Sequence, residues 1–289
     1  MKKSLSPARA VLTTAVTLLA SANLFANEAL SSERVVSAGG AVTELLLALD
    51  AKDNLIAVDV TSELPKDLEL PKVGYHRRLS AEGLLALSPT KLIGSDEMGP
   101  NTTLDQLKSA GVEIEVVNTE ATVTGLLDRI EQIANIMDRK TQAASLKQTV
   151  TEQIEALESN QPATRDKKKV LFLLIHEGRP ANVAGLDTTP DAIIKLAGAE
   201  NPAADKLSSY KPLSTEAMVE MQPDVILVSG RSFAKLGGAD ALLKAMPLLA
   251  ATPAGINKNF VTIDGHALVG GLGLKSLSEA KRLNGLLYP

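Results

Sequence analysis

The residues best suited to chemistry in this sequence are a tyrosine set among cations, Gly74-Tyr75-His76-Arg77-Arg78, followed at once by Leu79-Ser80. A free phenol ionises near pH 10, and guanidinium groups beside it favour the phenolate. The phenolate is a hard ligand suited to ferric iron. Gly74 permits the tight turn that would present it. A packed ring with a hydrogen-bonded hydroxyl needs the same residue types, so spacing alone leaves both uses open. A second cluster, Tyr210 and Lys211, again lies just ahead of a serine, Ser214. Two such loops facing each other across a cleft would suit an anionic ligand, because Arg and Lys pair with carboxylates.

The three histidines are His76, His176 and His266. His76 points away from Tyr75 if its segment is extended. His176 ends an apolar run, where a strand terminus can project into a cleft, and is the candidate for a second axial or ligand-binding group. His266 follows Asp264-Gly265 in a turn and is expected to be solvated. There is no HxH or HxxxH spacing to favour a zinc or manganese carrier. Ser80, His176 and Asp264 can be written as a hydrolase triad, yet no GxSxG elbow exists and helix capping accounts for Ser80, so no enzyme is expected. The glycines of Val269-Gly270-Gly271-Leu272-Gly273 follow no long strand and have no acid about 20 positions on, which excludes a dinucleotide fingerprint.

These groups need a scaffold, and the composition permits a large one. The chain has 289 residues, 45% of them hydrophobic, enough for two lobes. The 30 basic and 34 acidic residues give a net charge of -4 without a basic run, so nucleic acid is not an expected partner. Only 2% of residues are aromatic and none is Trp, so a large flat ligand would be held by aliphatic walls. Lys2, Lys3 and Arg9, the apolar run 10–19 and the small residues after it read as a signal peptide, taken as residues 1–26, with export to the periplasm. The absence of Cys removes both disulfides and an N-terminal lipid anchor.

Beyond the signal, short β-branched runs alternate with amphipathic segments, the pattern of a parallel sheet covered by helices. Strands are predicted at 34–37, 55–60, 91–95 and 113–117 in an N-terminal lobe spanning 27–122. Residues 123–159 contain one Gly and no Pro after Gly125, and the apolar spacing predicts one long linking helix over 123–160. A strand at 170–175 opens a C-terminal lobe spanning 161–289. The two lobes also share a repeat: Leu79-Ser80-Ala81-Glu82 runs through Pro89 to Ser95, and Leu213-Ser214-Thr215-Glu216 runs through Pro223 to Ser229. Each copy is a Ser N-cap, a first-turn Glu, a helix stopped at Pro and a buried strand. A weaker echo pairs Glu44 with Asp191, each ahead of an apolar helix, where compensation of the helix dipole is a sufficient explanation.

The run 74–83, together with Ala184-Gly185-Leu186-Asp187-Thr188, Leu196-Ala197-Gly198, Tyr210-Lys211-Pro212-Leu213-Ser214 and Thr252-Pro253-Ala254-Gly255, resembles periplasmic haem-binding proteins of bacterial haem ABC importers. The resemblance covers nearly all of the chain beyond the signal. It implies an α/β fold of two Rossmann-like lobes joined by one long helix, the class III periplasmic binding protein fold, with haem (haem b) held in the cleft as cargo. It further implies Tyr75 as axial ligand of the haem iron, Arg77 bonded to its oxygen, Arg78 and Lys211 near the propionates, and Glu44 and Asp191 docking to Arg residues of the permease. Its implied partners are the inner-membrane ABC permease with its ATPase, and an outer-membrane haem receptor upstream of a monomeric carrier. A siderophore or corrinoid carrier of the same class is the alternative. One departure stands out: relatives carry an aromatic-Gly-Pro-Arg pattern near the last helix, where this chain has Val269-Gly270-Gly271-Leu272.

Overall fold

Runs of Val, Ile and Leu become parallel strands where helices can cover both faces, because the backbone then pairs internally and the side chains leave water. In the computed structural model, which describes residues 33–175 and 179–289, four such runs form the first sheet. They are β1 (Val35–Ala38), β2 (Leu55–Val58), β3 (Lys91–Ser95) and β4 (Glu113–Val117), all parallel in the order β2-β1-β3-β4. Helices α1 (Gly40–Ala48), α2 (Ala81–Leu85) and α3 (Asn101–Ser109) connect them. The predicted strands at 91–95 and 113–117 coincide with β3 and β4. The expected signal peptide and His176 lie outside the described residues.

After α4 (Val123–Ile136) and α5 (Lys140–Ser159), a second sheet contains β5 (Val170–Leu174), β6 (Asn182–Ala184), β7 (Tyr210–Pro212), β8 (Val225–Ser229) and β9 (Phe260–Ile263). Its order is β7-β6-β5-β8-β9, with β5, β8 and β9 parallel and β6 antiparallel to both of its neighbours. The intervening helices are α6 (Thr189–Leu196), α7 (Thr215–Glu220), α8 (Gly230–Leu236), α9 (Ala239–Ala245) and α10 (Pro253–Ile256), and α11 (Leu274–Leu287) closes the chain.

The linking segment departs from expectation, being two helices instead of one. Asp138 takes a left-handed conformation at φ 51°, and the Arg139 amide donates to Ala134 O at 2.8 Å, closing a Schellman-type end on α4. Lys147 of α5 then reaches back to Glu131 of α4 at 3.2 Å. Asp is one of the few residues that enter this conformation at low cost, so the break needs neither Gly nor Pro. The repeat is realised closely: Ser80 and Ser214 each accept the amide three residues on, from Gly83 and Ala217, both at 3.3 Å. Even the residues before the two prolines match, with Ser88 at φ 48° and Gln222 at φ 47°.

One apolar core runs through both lobes. It joins Val35, Leu45 and Ile93 of the first to Phe172, Leu227 and Ile263 of the second through Ile130, Ile133, Ile154 and Leu283 of α4, α5 and α11. A polar junction reinforces it. Glu44 on α1 accepts the Leu274 amide (2.7 Å) and the Lys275 amide (3.1 Å), capping α11 from the other lobe. Buried Arg129 on α4 donates to Leu272 O (2.9 Å), Asn118 O (2.6 Å) and Glu120 O (3.1 Å). A β-carbon at Gly271 would collide with Thr119 O and the Arg129 guanidinium, and one at Gly273 with Glu44 Oε1. The unusual glycines at 270–273 are therefore what lets this junction close. Burial pushes the Glu44 carboxyl up to about 7, against the amide bonds and Arg129 that hold it down. The same desolvation brings Arg129 down to about 10.

Replacing Glu44 by Ala strands two helix-terminal amides and leaves Arg129 without its nearest anion. The expected loss is about 3 kcal/mol, or a melting temperature about 6–12 °C lower for a chain of this size; Gly273→Ala should act in the same direction. Differential scanning calorimetry checks both.

Candidate functional site

The site begins where β2 ends. The Val73 amide donates to Val58 O (3.0 Å) and the Val60 amide to Gly74 O (2.8 Å), so the chain runs back along the strand end. Gly74, at φ 90°, then turns it, and His76–Arg78 wind into one 3-10 turn with Tyr75 at its start. The turn sorts its side chains: His76 and Leu79 are buried, while Tyr75, Arg77 and Arg78 face outward. Tyr75 is 40% exposed, an aromatic ring kept open to the solvent. That exposure leaves it available to a ligand.

His76 points inward from a 3-10 turn, not from the extended segment that would have aimed it away from Tyr75. Its ring centroid lies 4.4 Å from that of Tyr75. Its Nδ1 donates to Asp59 Oδ2 at 2.9 Å, and its Nε2 lies 3.6 Å from Glu97 Oε2, so both nitrogens face carboxylates. Burial opposes the charge, but the hydrogen bonds that His76 donates to Asp59 and Glu97 carry its pKa up to about 9. Buried Asp59 is desolvated, yet His76, Ser62 and Thr61 together hold its carboxyl below the usual range. Glu97, just beyond β3, also ion-pairs with Arg77. The mouth of the cleft is thus a line of alternating charge, Asp59, His76, Glu97 and Arg77, beside Tyr75. Asp59 and Glu97 are not singled out by sequence motifs. The available signal was their place at the carboxyl ends of parallel strands, where α/β sheets gather functional groups.

On the opposing lobe Tyr210 and Lys211 lie on edge strand β7. Tyr210 packs edge-on against Phe172 with centroids 6.4 Å apart. Its phenol is pushed up to about 12, first by burial and then by the negative charge of Glu97. Glu97 of the N-terminal lobe is thus near enough for its charge to act on Tyr210, while Lys211 beside it is exposed. Within the C-terminal lobe is a cavity of about 710 Å³ walled by Ile175, Leu213, Met218, Leu236 and Met246, with Arg179 and Lys235 among its lining residues. The cavity combines aliphatic walls with these two cations. On the far side of the cleft, Lys275 ion-pairs with Glu63 beyond β2 and with Asp264 beyond β9 (2.9 Å), and His266 is bonded to Asp264 at 2.9 Å. His266 is half-buried in this network and not solvated as expected. Glu63, Asp264 and His266 come within ligand distance of one another, and Lys275 supplies the positive charge there.

The structure corrects the docking expectation for Glu44 and Asp191. Glu44 spends both oxygens on α11. Asp191 is 4% exposed and is bonded to Lys195 (2.7 Å) and Asn201 (3.0 Å). Glu44 thus caps a helix of the other lobe, while Asp191, in the first turn of α6, is bonded within its own. The stronger repeat instead places Glu82 and Glu216, both exposed, in the first turns of α2 and α7.

A family model described as periplasmic binding protein matches residues 35–267. The chain is similar to the crystal structure of the periplasmic heme-binding protein HutB of Vibrio cholerae, at 65% identity and a TM-score of 0.86, over 90% of this chain and 100% of that one. It is likewise similar to the apo periplasmic heme-binding protein RhuT from Roseiflexus sp. RS-1, at 35% identity and a TM-score of 0.83, over 89% of this chain and 98% of that one. A vitamin B12-binding protein of Vibrio parahaemolyticus is 30% identical over 198 residues, 68% of this chain and 70% of its own length. With the match extending over most of two lobes that share one core and face each other across a charged cleft, the chain belongs to the periplasmic binding protein family.

Proposed function

We propose that this protein captures ferric haem in the periplasm and delivers it to an ABC permease of the inner membrane. The observation that carries the reading is the exposed Tyr75 ring, held at the start of a one-turn helix that also carries Arg77 and Arg78 outward. Ferric iron favours an anionic oxygen ligand, and the Arg77 guanidinium is a donor suited to that oxygen. Aliphatic walls shelter the macrocycle, and Arg179, Lys235, Lys211 and Arg78 offer partners for propionates. Haem b is the form this site would take. The 65% identity to a heme-binding protein, set against 30% to a vitamin B12-binding one, supports haem over a corrinoid. For docking, Glu82 and Glu216 replace Glu44 and Asp191: they are exposed, related by the repeat, and sit one on each lobe, as a two-sided permease would require.

Titration of the protein with ferric haem should give a saturable Soret change with a tyrosinate-type high-spin charge-transfer band, and Tyr75→Ala should abolish that band. Saturation by cobalamin without any haem spectrum would instead select the corrinoid reading. Charge reversal of Glu82 and Glu216 to Lys should leave haem binding unchanged and remove stimulation of the transporter ATPase, measured with permease and ATPase in vesicles; undiminished stimulation would refute docking through these two acids.

A further inference from the structure

Arg77 is needed at Tyr75, yet in this structure its guanidinium is paired with Glu97. Glu97 is not free to follow it. On its other side stands His76, whose Nε2 is 3.6 Å away, and His76 is buried and fixed to Asp59 at 2.9 Å. Asp59 is in turn held by Ser62 (2.7 Å) and Thr61 (2.7 and 2.9 Å). The carboxylate is therefore anchored to the lobe, whereas Arg77 is 52% exposed and can swing. An ion pair in so wet a setting is weak and exchanges readily.

We propose that Glu97 is a positioning residue that competes with the Tyr75 phenolate for Arg77 and thereby sets how fast the carrier lets go of its ligand. The inference rests on Tyr75 being the iron ligand. Ligation converts a neutral phenol into an anion two residues from Arg77, so two negative groups then share one guanidinium. Whatever part of Arg77 stays with Glu97 is withheld from the Tyr75 oxygen, and the iron–oxygen bond is less supported. A carrier that must surrender its cargo benefits from such a standing competitor, since affinity differences are expressed mainly in dissociation rates.

The test is transfer of ferric haem to excess apo-myoglobin, followed by stopped flow, for the unaltered protein and for Glu97→Gln, Glu97→Asp, Arg77→Ala and the double variant Arg77→Ala/Glu97→Gln. Glu97→Gln should release haem about fivefold more slowly, the size of one weak ion pair. Glu97→Asp keeps the charge and should stay within about twofold of the unaltered protein. Arg77→Ala should release faster, and adding Glu97→Gln to it should change nothing further, because the effect travels through Arg77. Release at the unaltered rate or faster in Glu97→Gln would overturn the proposal. So would an equal slowing by Glu97→Gln with and without Arg77, which would mean direct action of its charge on the site. If Tyr75→Ala retains the haem spectrum, the ligand assignment itself fails and takes this inference with it; a Tyr75-dependent spectrum with no Glu97 effect defeats the inference alone.

Discussion

A guanidinium buried without solvent must have its donors met by oxygens, and Arg129 meets that requirement only when Leu272, 143 residues away, joins the nearby Asn118 and Glu120. Everything about the relation between the two lobes follows from this closure. Leu272 immediately precedes α11, whose first amides are taken by Glu44 of the other lobe. Glycines at 271 and 273 are the only residues that fit at that spacing, since a side chain at either would strike the partner groups. The continuous apolar core on the same side removes the remaining freedom.

At the mouth of the cleft the chain spends unusual effort on charge. Asp59, His76, Glu97 and Arg77 alternate in sign from the buried interior to the solvent, each satisfied by its neighbours. His76 owes its positive charge to two carboxylates that overcome the penalty of burial. The series ends beside an exposed phenol, Tyr75. Across the cleft, Tyr210 lies in the field of Glu97, so the same carboxylate is felt by both lobes.

The repeat and the weak echo illustrate how one local rule can serve two ends. An acid in the first turn of a helix complements the positive end of that helix wherever it lies. Where the acid is packed against other elements, as with Asp191 in the first turn of α6 and Glu44 midway along α1, the carboxylate becomes a buried ion pair or a structural cap. Where the turn faces water, as with Glu82 and Glu216, the same placement leaves a charge available to a partner. Burial decides between the uses, and burial is not written in the spacing.

Local chemistry made much of the protein legible in one dimension. The strands 91–95, 113–117 and 225–229, the caps at Ser80 and Ser214, the doubling of the lobe and the tyrosine turn follow from short-range preferences that act within a few residues. The break at Asp138 escaped because it depends on a residue that merely tolerates a left-handed conformation, and only the packing of α4 against α5 selects it. The His76–Glu97 and Arg77–Glu97 contacts join residues about 20 positions apart, and Arg129 to Leu272 spans 143. Such pairs are chosen by which strand ends the topology brings together. Sequence by itself determined the elements and the exposed tyrosine's neighbours; tertiary structure alone decided which charges meet, because electrostatic partnership depends on distance and burial in three dimensions.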